Sequence, residues 1–593
     1  MRTLRIILAL WAALATLNIA VACEETPEPE PVKLVCQPSE LTFEATGGTL
    51  SMTITSGIKP VVTCSDAWIS IKEGSYANNA LSISVTAKEN TGTASRSTSL
   101  RVIGDKQSQM VPVTQGVPQV KLSVDKTSVA FDRFGGETVL TVTSSQQPTV
   151  TTDATWCGIS AGTINASHET AVTLSAGPNR STSAGSGTVT IQCGSDKVSV
   201  KITREAMGII PTASATALTP ELVFSTMAPG WNLGNQMDAI DNGVSGETTW
   251  GNPKCTQATF DGVKAAGFKA VRICVTWTGH IGDAPAYLIE DKWMDRVAEI
   301  VGYAEKAGLV AIVNTHHDES YFLDINKAYN NATQNEKVKD ELFCVWTQIA
   351  NRFKDKGEWL IFESLNEIQD GDWGWSAAFQ RDPNAQYKVL NEWNQVFVDA
   401  VRATGGNNAT RWLGVPGYAA SPGFTIAGLV LPKDYTSANR LMVAVHDYDP
   451  YKYTIDNPLV RQWGHTADPT LRCSNYDEEG VVSVFDNLKA AYVEKNIPVY
   501  LGEMGCSRHT DEDFPYQKYY MEYFCKAAAD RLLPMYVWDN GAKGVGTERH
   551  SYIDHGTGKF YDEKAQTLVG LMVKAVTTKD PAYTLESVYN SAP

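Results

Sequence analysis

The sequence predicts an α/β protein, a (β/α)8 TIM barrel preceded by two immunoglobulin-like β-sandwich modules. Three observations carry that expectation. From about residue 221 onward, short apolar runs alternate with segments of helical periodicity, and eight such runs can be counted. Between residues 32 and 206, aromatic, glycine and proline landmarks recur at a constant offset of 88 residues. In that same stretch apolar residues alternate with Thr and Ser, the pattern of strands buried on one face. At 593 residues the chain is also too long for one core, and length alone suggests three or four domains.

Taken in order, residues 1–22 read as an export signal. Arg2 and Arg5 give a short positive start, and residues 6–22 form an apolar run that Thr16 and Asn18 interrupt only mildly. At 17 residues this run is marginal as a membrane span. It ends in Ala20-Val21-Ala22-Cys23, which resembles a bacterial lipobox with Ala20 where Leu is usual. Ordinary signal-peptidase cleavage and an uncleaved anchor stay open. Glu24-Glu25 resembles the acidic signal that sends Bacteroidetes lipoproteins to the cell surface. These resemblances imply lipid on Cys23, an extended Pro/Glu tether over residues 23–31, and an outer-membrane lipoprotein facing outward.

The formal charge is −16, and cleavage after residue 22 would remove two more positive charges. Such a surface repels nucleic acid and anionic membranes and suits a neutral ligand. Eleven cysteines show neither a CxxC pair nor zinc-ligand spacing. Export permits disulfides, but the sequence does not give their pairing. Cys274, inside an apolar strand, reads as a buried small hydrophobe.

The repeat defines two modules, residues 32–117 and 118–206. Phe43 answers Phe131, Gly47-Gly48 answers Gly135-Gly136, Pro60 answers Pro148 and Trp68 answers Trp156. Alternation as in Leu81-Ser82-Ile83-Ser84-Val85 predicts antiparallel sandwiches. The tryptophans and the Gly-Gly turn together resemble the BACON module, which implies carbohydrate binding. Trp68 and Trp156 lie in apolar strand patterns, however, so a core role is the plainer reading and a spacer role is as good as binding. Residues 207–220, with Pro211 and Pro220, read as a linker.

The remainder, 221–593, is the barrel. Trp293, Val297, Ile300, Val301 and Ala304 fall at helical spacing, and Gly308 stops that helix. The eight strand cores are expected near 230–233, 270–275, 310–314, 360–363, 411–415, 441–446, 499–503 and 534–538. They are continuous apolar runs, as strands buried on both faces should be. A doubly wound open sheet is the alternative, and the count of eight argues against it.

Barrel enzymes place their chemistry at the C-terminal ends of strands. Here six ends carry polar residues: Arg272, then His316-His317, Asn366-Glu367, His446 with Tyr448, Glu503 and Trp538. Glu367 follows strand four and Glu503 closes strand seven, so the two face each other across a closed barrel's mouth. Cleaving a glycosidic bond needs such a pair, one protonated to help the leaving oxygen and one ionised. The segments ending Glu363-Ser364-Leu365-Asn366-Glu367 and Leu501-Gly502-Glu503 resemble the acid/base and nucleophile segments of glycoside hydrolase family 5. Gly230-Trp231-Asn232-Leu233-Gly234-Asn235 resembles its opening motif and Val271-Arg272-Ile273 its arginine strand. The His-His pair and residues 445–451 resemble subfamily 4, which holds endo-β-1,4-glucanases, cellulases and xyloglucanases.

The resemblance implies retaining endo-hydrolysis of β-1,4-glucan backbones, with Glu367 as acid/base and Glu503 as nucleophile. Arg272 would support Glu503, Asn366 would bind a sugar hydroxyl, and His316 and His317 would line donor-side subsites. His446 and Tyr448 would hold the two carboxylates, and Trp538 would be the platform under the donor sugar, with Asn235 in the opening motif. Trp373 and Trp375, in the loop after Glu367, are candidates for stacking on substrate. A metal on His316-His317-Asp318 is not expected, since neighbours on a strand point to opposite faces. No cofactor is implied, and the expected partner of a monomeric enzyme is polysaccharide. A β-mannanase of the same family and a non-catalytic surface glycan-binding protein are the alternative readings.

Overall fold

Eight short parallel strands close into a barrel. They are β1 (Gly230–Leu233), β2 (Ala270–Ile273), β3 (Val310–Asn314), β4 (Leu360–Glu363), β5 (Leu413–Pro416), β6 (Leu441–His446), β7 (Val499–Met504) and β8 (Met535–Asp539). A computed structural model describes residues 30–456, 459–473 and 476–593. The expected export signal, Cys23 and the tether up to residue 29 lie outside the described residues. Among the described residues no helix is long and apolar enough to cross a membrane.

A helix follows each strand, as in Asp291–Ala307 after β2 and Ala332–Phe353 after β3. The first of these shows why the sequence folds this way. Trp293, Val297, Ile300, Val301 and Ala304 are all buried along one stripe, and Gly308 ends the helix in the left-handed region at φ 67°. The stripe packs on the outer faces of the strands and with its neighbours forms the main core.

Inside the barrel, period two sorts the side chains into layers. Ala270, Ile312, Ile361, Met442, Ala444, Tyr500 and Tyr536 form an apolar floor with Leu218, Val223 and Met227. Two residues further along the strands stand Arg272, Asn314, Glu363, His446 and Trp538. The same alternation therefore stacks a polar layer on the apolar one. Residues 207–220, expected as a linker, lie partly along the barrel. Ala213 bridges to Thr436, and Leu218 is fully buried.

Each N-terminal module is a pair of four-stranded sheets. In the first, Leu81, Ile83, Val85, Leu100, Val102, Val111 and Val113 meet in the core, every second residue of their strands. Trp68 is half-buried against that core, and Trp156 in the second copy is half-buried with Phe131 at its edge. The first sandwich is one compact unit. The barrel with most of the second sandwich is another.

Candidate active site

The polar layer is organised by Arg272, a fully buried guanidinium on β2. Its Nε and Nη2 donate to Glu363 Oε1 at 2.9 and 2.7 Å. Its Nη1 donates to Glu503 Oε1 at 2.7 Å and to Asn232 Oδ1 at 3.1 Å, and Nη2 also reaches Asn366 Oδ1 at 2.7 Å. One cation thus serves two buried carboxylates. With its Oδ1 turned to Arg272, Asn366 has its Nδ2 donors available for a ligand.

Glu363 was not among the residues expected at the site. It sits on β4 two residues after Ile361, so it points inward, and it also accepts from Asn314 Nδ2 (3.0 Å) and the Tyr500 hydroxyl (2.6 Å). Burial would raise its carboxyl, but Arg272 outweighs that and holds it below the usual range. A charged residue closing an otherwise apolar strand was the available signal, and pairing it with Arg272 on another apolar strand would have completed it.

Glu503 needs a distortion to reach this layer. Tyr500 faces the floor, so regular alternation would bring residues 502 and 504 inward rather than 503. The β6–β7 register shifts between Val445 and His446 and the β7–β8 register between Leu501 and Met504, and Glu503 comes to lie opposite His446. There its Oε2 also accepts from the Tyr448 hydroxyl at 3.0 Å. Burial holds its carboxyl above the usual range, against the pull of Arg272.

Glu367 lies in the loop after β4, and the hydrogen bond it makes is to His446 Nδ1, at 2.7 Å. Burial pushes it up to about 7, against the pull of His317 and Arg272. His446 is itself pushed down to about 4 by burial, so at neutral pH it is an uncharged partner. Carboxylate oxygens of Glu367 and Glu503 approach within 4.8 Å. The arrangement offers a proton from one carboxyl and a negative oxygen from the other, which is what displacement at a sugar carbon uses.

The two histidines require a correction. They were expected to point to opposite faces, yet both Nε2 atoms lie near Asp238 Oδ2, at 4.0 Å from His316 and 3.9 Å from His317, and the rings are 4.4 Å apart. The pleat ends at Asn314, so strand alternation does not govern residues 316 and 317. The donor set still does not suit a metal. Asn314 gives its Oδ1 to the Val275 N–H and its Nδ2 to Glu363 and to His316 Nδ1 (3.2 Å), so His316 carries its proton on Nε2 and is a donor there. His316 is kept neutral by burial. Burial opposes a charge on His317 as well, but Glu319 and Asp238 outweigh it and push it up to about 9.

The other expected residues fall as follows. Trp538 is 9% exposed and stacks on His316 at 5.7 Å and 4°. Asn235 adopts a left-handed turn (φ 52°) and donates its backbone N–H to Asp238. Trp373 and Trp375 are exposed on the loop after β4, by 51% and 78%.

A closed eight-stranded barrel with two carboxylates facing across its mouth is the arrangement that glycoside hydrolysis uses. The family model for cellulase (glycosyl hydrolase family 5) matches residues 235–544, and the BACON model matches residues 59–116. The chain belongs to glycosyl hydrolase family 5. It is 36% identical over 348 residues to endoglucanase A of Paenibacillus barcinonensis, covering 56% of this chain and 85% of that one. Its fold is similar to a broad-specificity GH5-4 endoglucanase from Bacteroides salanitronis at 50% identity and a TM-score of 0.60, covering 62% of this chain and 98% of that one. A Bacteroides ovatus GH5 xyloglucanase in complex with a XXXG heptasaccharide matches at 27% identity and a TM-score of 0.56, covering 78% of this chain and 100% of that one. The chain is therefore an enzyme that hydrolyses β-1,4-glucan within the backbone.

Proposed function

We propose that this enzyme works with retention of configuration, with Glu503 as nucleophile and Glu367 as acid/base, on xyloglucan and related soluble β-1,4-glucans. The observation that carries the reading is the contrast within the carboxylate pair. Glu503 accepts from Arg272 and Tyr448 and so keeps its charge, while Glu367 is poised at about 7. Oxygens within 4.8 Å leave no room for the attacking water of an inverting pair and suit direct attack by carboxylate.

In the first step Glu503 attacks the anomeric carbon as Glu367 protonates the departing oxygen. In the second, Glu367 takes a proton from water, which releases the sugar from Glu503. Asn366 Nδ2 and the Nε2–H of His316 supply donors toward the bound sugar. The similar proteins whose names speak of xyloglucan and of broad specificity support this substrate range. The test is a polysaccharide panel with NMR of the first-formed anomer. A β-anomer from xyloglucan is expected. An α-anomer would overturn retention, and cleavage confined to mannan would overturn the substrate. We further propose that Cys23 carries lipid and holds the enzyme at the outer membrane; labelled palmitate should enter the wild-type chain and not Cys23→Ser.

A further inference from the structure

The two sandwich modules treat one arginine–tryptophan pair differently. In the first, Arg96 lies over the Trp68 ring at 4.5 Å and makes three hydrogen bonds. Its Nε donates to Gln115 Oε1 at 2.8 Å and its Nη2 to the carbonyls of Lys88 and Glu89 at 2.7 and 3.0 Å. Arg96 and Gln115 are register partners, and the equivalent partners in the second module are Gly185 and Arg204. The arginine has moved across the strand pair. Position 185 cannot hold it, because a Cβ there would lie 2.9 Å from Trp156 Nε1.

In its new place Arg204 again lies over the tryptophan, 5.0 Å from the Trp156 ring centre. Its hydrogen bonding is much poorer. Nη1 donates to the Gly177 carbonyl at 3.3 Å, and Nε is buried without a partner. Among the described residues no carboxylate stands within ion-pair distance of it. The first module gives its arginine three hydrogen bonds and the second gives one, so the second has left donors unused.

Those donors border a cavity of about 490 Å³. The sandwich side supplies Trp156, Arg180 and Arg204, and the barrel side Tyr287, Lys337 and Asp340. Arg180 is paired with Asp340 at 2.8 Å and Glu336 at 2.6 Å, and among the described residues Arg204 and Lys337 have no carboxylate within ion-pair distance, though Asp340 acts on Arg204 through space. The walls are fixed relative to each other. A Cβ on Gly177 would lie 2.8 Å from the carbonyl oxygens of Pro285 and Ala286 and 2.9 Å from Cys344 Sγ, so backbone meets backbone there. The volume falls within the ~300–1,000 Å³ of small-molecule sites.

We propose that this cavity is a second saccharide site, sharing no residue with the barrel mouth, and that it takes a uronate-bearing sugar. The carboxylate would pair with the Nη2 donors of Arg204, the ring would lie against Trp156, and Lys337 adds long-range attraction.

The experiment is ligand-detected NMR titration of the full chain with methyl β-glucuronide, methyl β-glucoside and sodium acetate. The glucuronide should bind at least tenfold more tightly than the glucoside, weaken as salt is raised, and lose at least tenfold in Arg204→Gln. Thr155→Trp fills the rim from an exposed position and leaves Arg204 and Trp156 in place; it should abolish the signal. No glucuronide binding by the wild-type chain overturns the proposal, as does equal binding of the glucoside. Displacement by acetate at matching concentration would reduce the site to a simple anion site and overturn it as a saccharide site. If Arg204→Gln does not fold, Thr155→Trp decides: an undiminished glucuronide signal in that variant places the binding elsewhere.

Discussion

Glu503 and Glu367 stand within 4.8 Å of each other, the first buried and the second half-buried, and their surroundings set them to opposite tasks. Glu503 is built into the barrel wall, between a guanidinium and a phenol. Glu367 stands on a loop against one neutral imidazole. Burial raises both carboxyls. Arg272 and Tyr448 donate directly to Glu503, whereas Arg272 acts on Glu367 only through space, so the proton shared by the pair belongs on Glu367. Role here follows from which element delivers the side chain.

The sharpest way to break this contrast is to remove the wall carboxylate. Glu503→Gln keeps shape and loses the nucleophile, and kcat on xyloglucan should drop by on the order of 10⁵-fold. A variant retaining a tenth of wild-type activity would end the assignment.

Glu367→Ala should be unequal across substrates. Polysaccharide cleavage should fall by about 10³-fold, while an aryl glycoside with a good leaving group should still load Glu503 and stall there. Azide should then restore turnover and yield a β-glycosyl azide. An α-azide from this variant would show the two roles exchanged.

Two smaller changes should move the pH profile of kcat/KM in opposite directions. The profile should rise as Glu503 ionises and fall above about pH 7 as Glu367 loses its proton. Glu363→Gln removes the carboxylate that shares Arg272, so the full guanidinium charge acts on both catalytic groups. Both become more acidic, the descending limb moves below pH 7, and activity at neutral pH drops by roughly 10²-fold. An unshifted limb would mean that Glu363 is only structural. Tyr448→Phe removes a donor from ionised Glu503, so the ascending limb should move up with a loss of about tenfold. A shift in the same direction as Glu363→Gln would contradict the contrast.

Much of this was legible in the sequence because strands buried on two faces must be written as unbroken apolar runs. All eight strands appear where those runs lie, displaced by at most a residue or two at their ends, as in Leu413–Pro416 against an expected 411–415. The two glutamates were legible because Glu503 closes such a run and Glu367 follows one within four residues. Other features depend on geometry that period and composition do not encode. Glu503 is turned inward by a bulge, and His316 and His317 share a side because the pleat has already ended. Glu363 reads as the tail of a strand until Arg272 is seen beside it. Arg204 is visible as underused only against the first module, where the same role falls to a residue on the neighbouring strand.

The seam that closes the barrel joins Gly230–Leu233 to Met535–Asp539, and Asp539 Oδ2 fastens it by accepting from Trp231 Nε1 at 2.9 Å. These partners are 308 positions apart. Asn232, on the first of those strands, also donates to the carbonyl of Gly502 and accepts from Arg272, so the site shares the fate of the seam. Contacts so distant along the chain form late and carry a high loop-closure cost. The barrel domain therefore has no half-built active state: a nascent chain halted before residue 535 should be protease-sensitive and inert, and catalysis begins only when the last strand arrives.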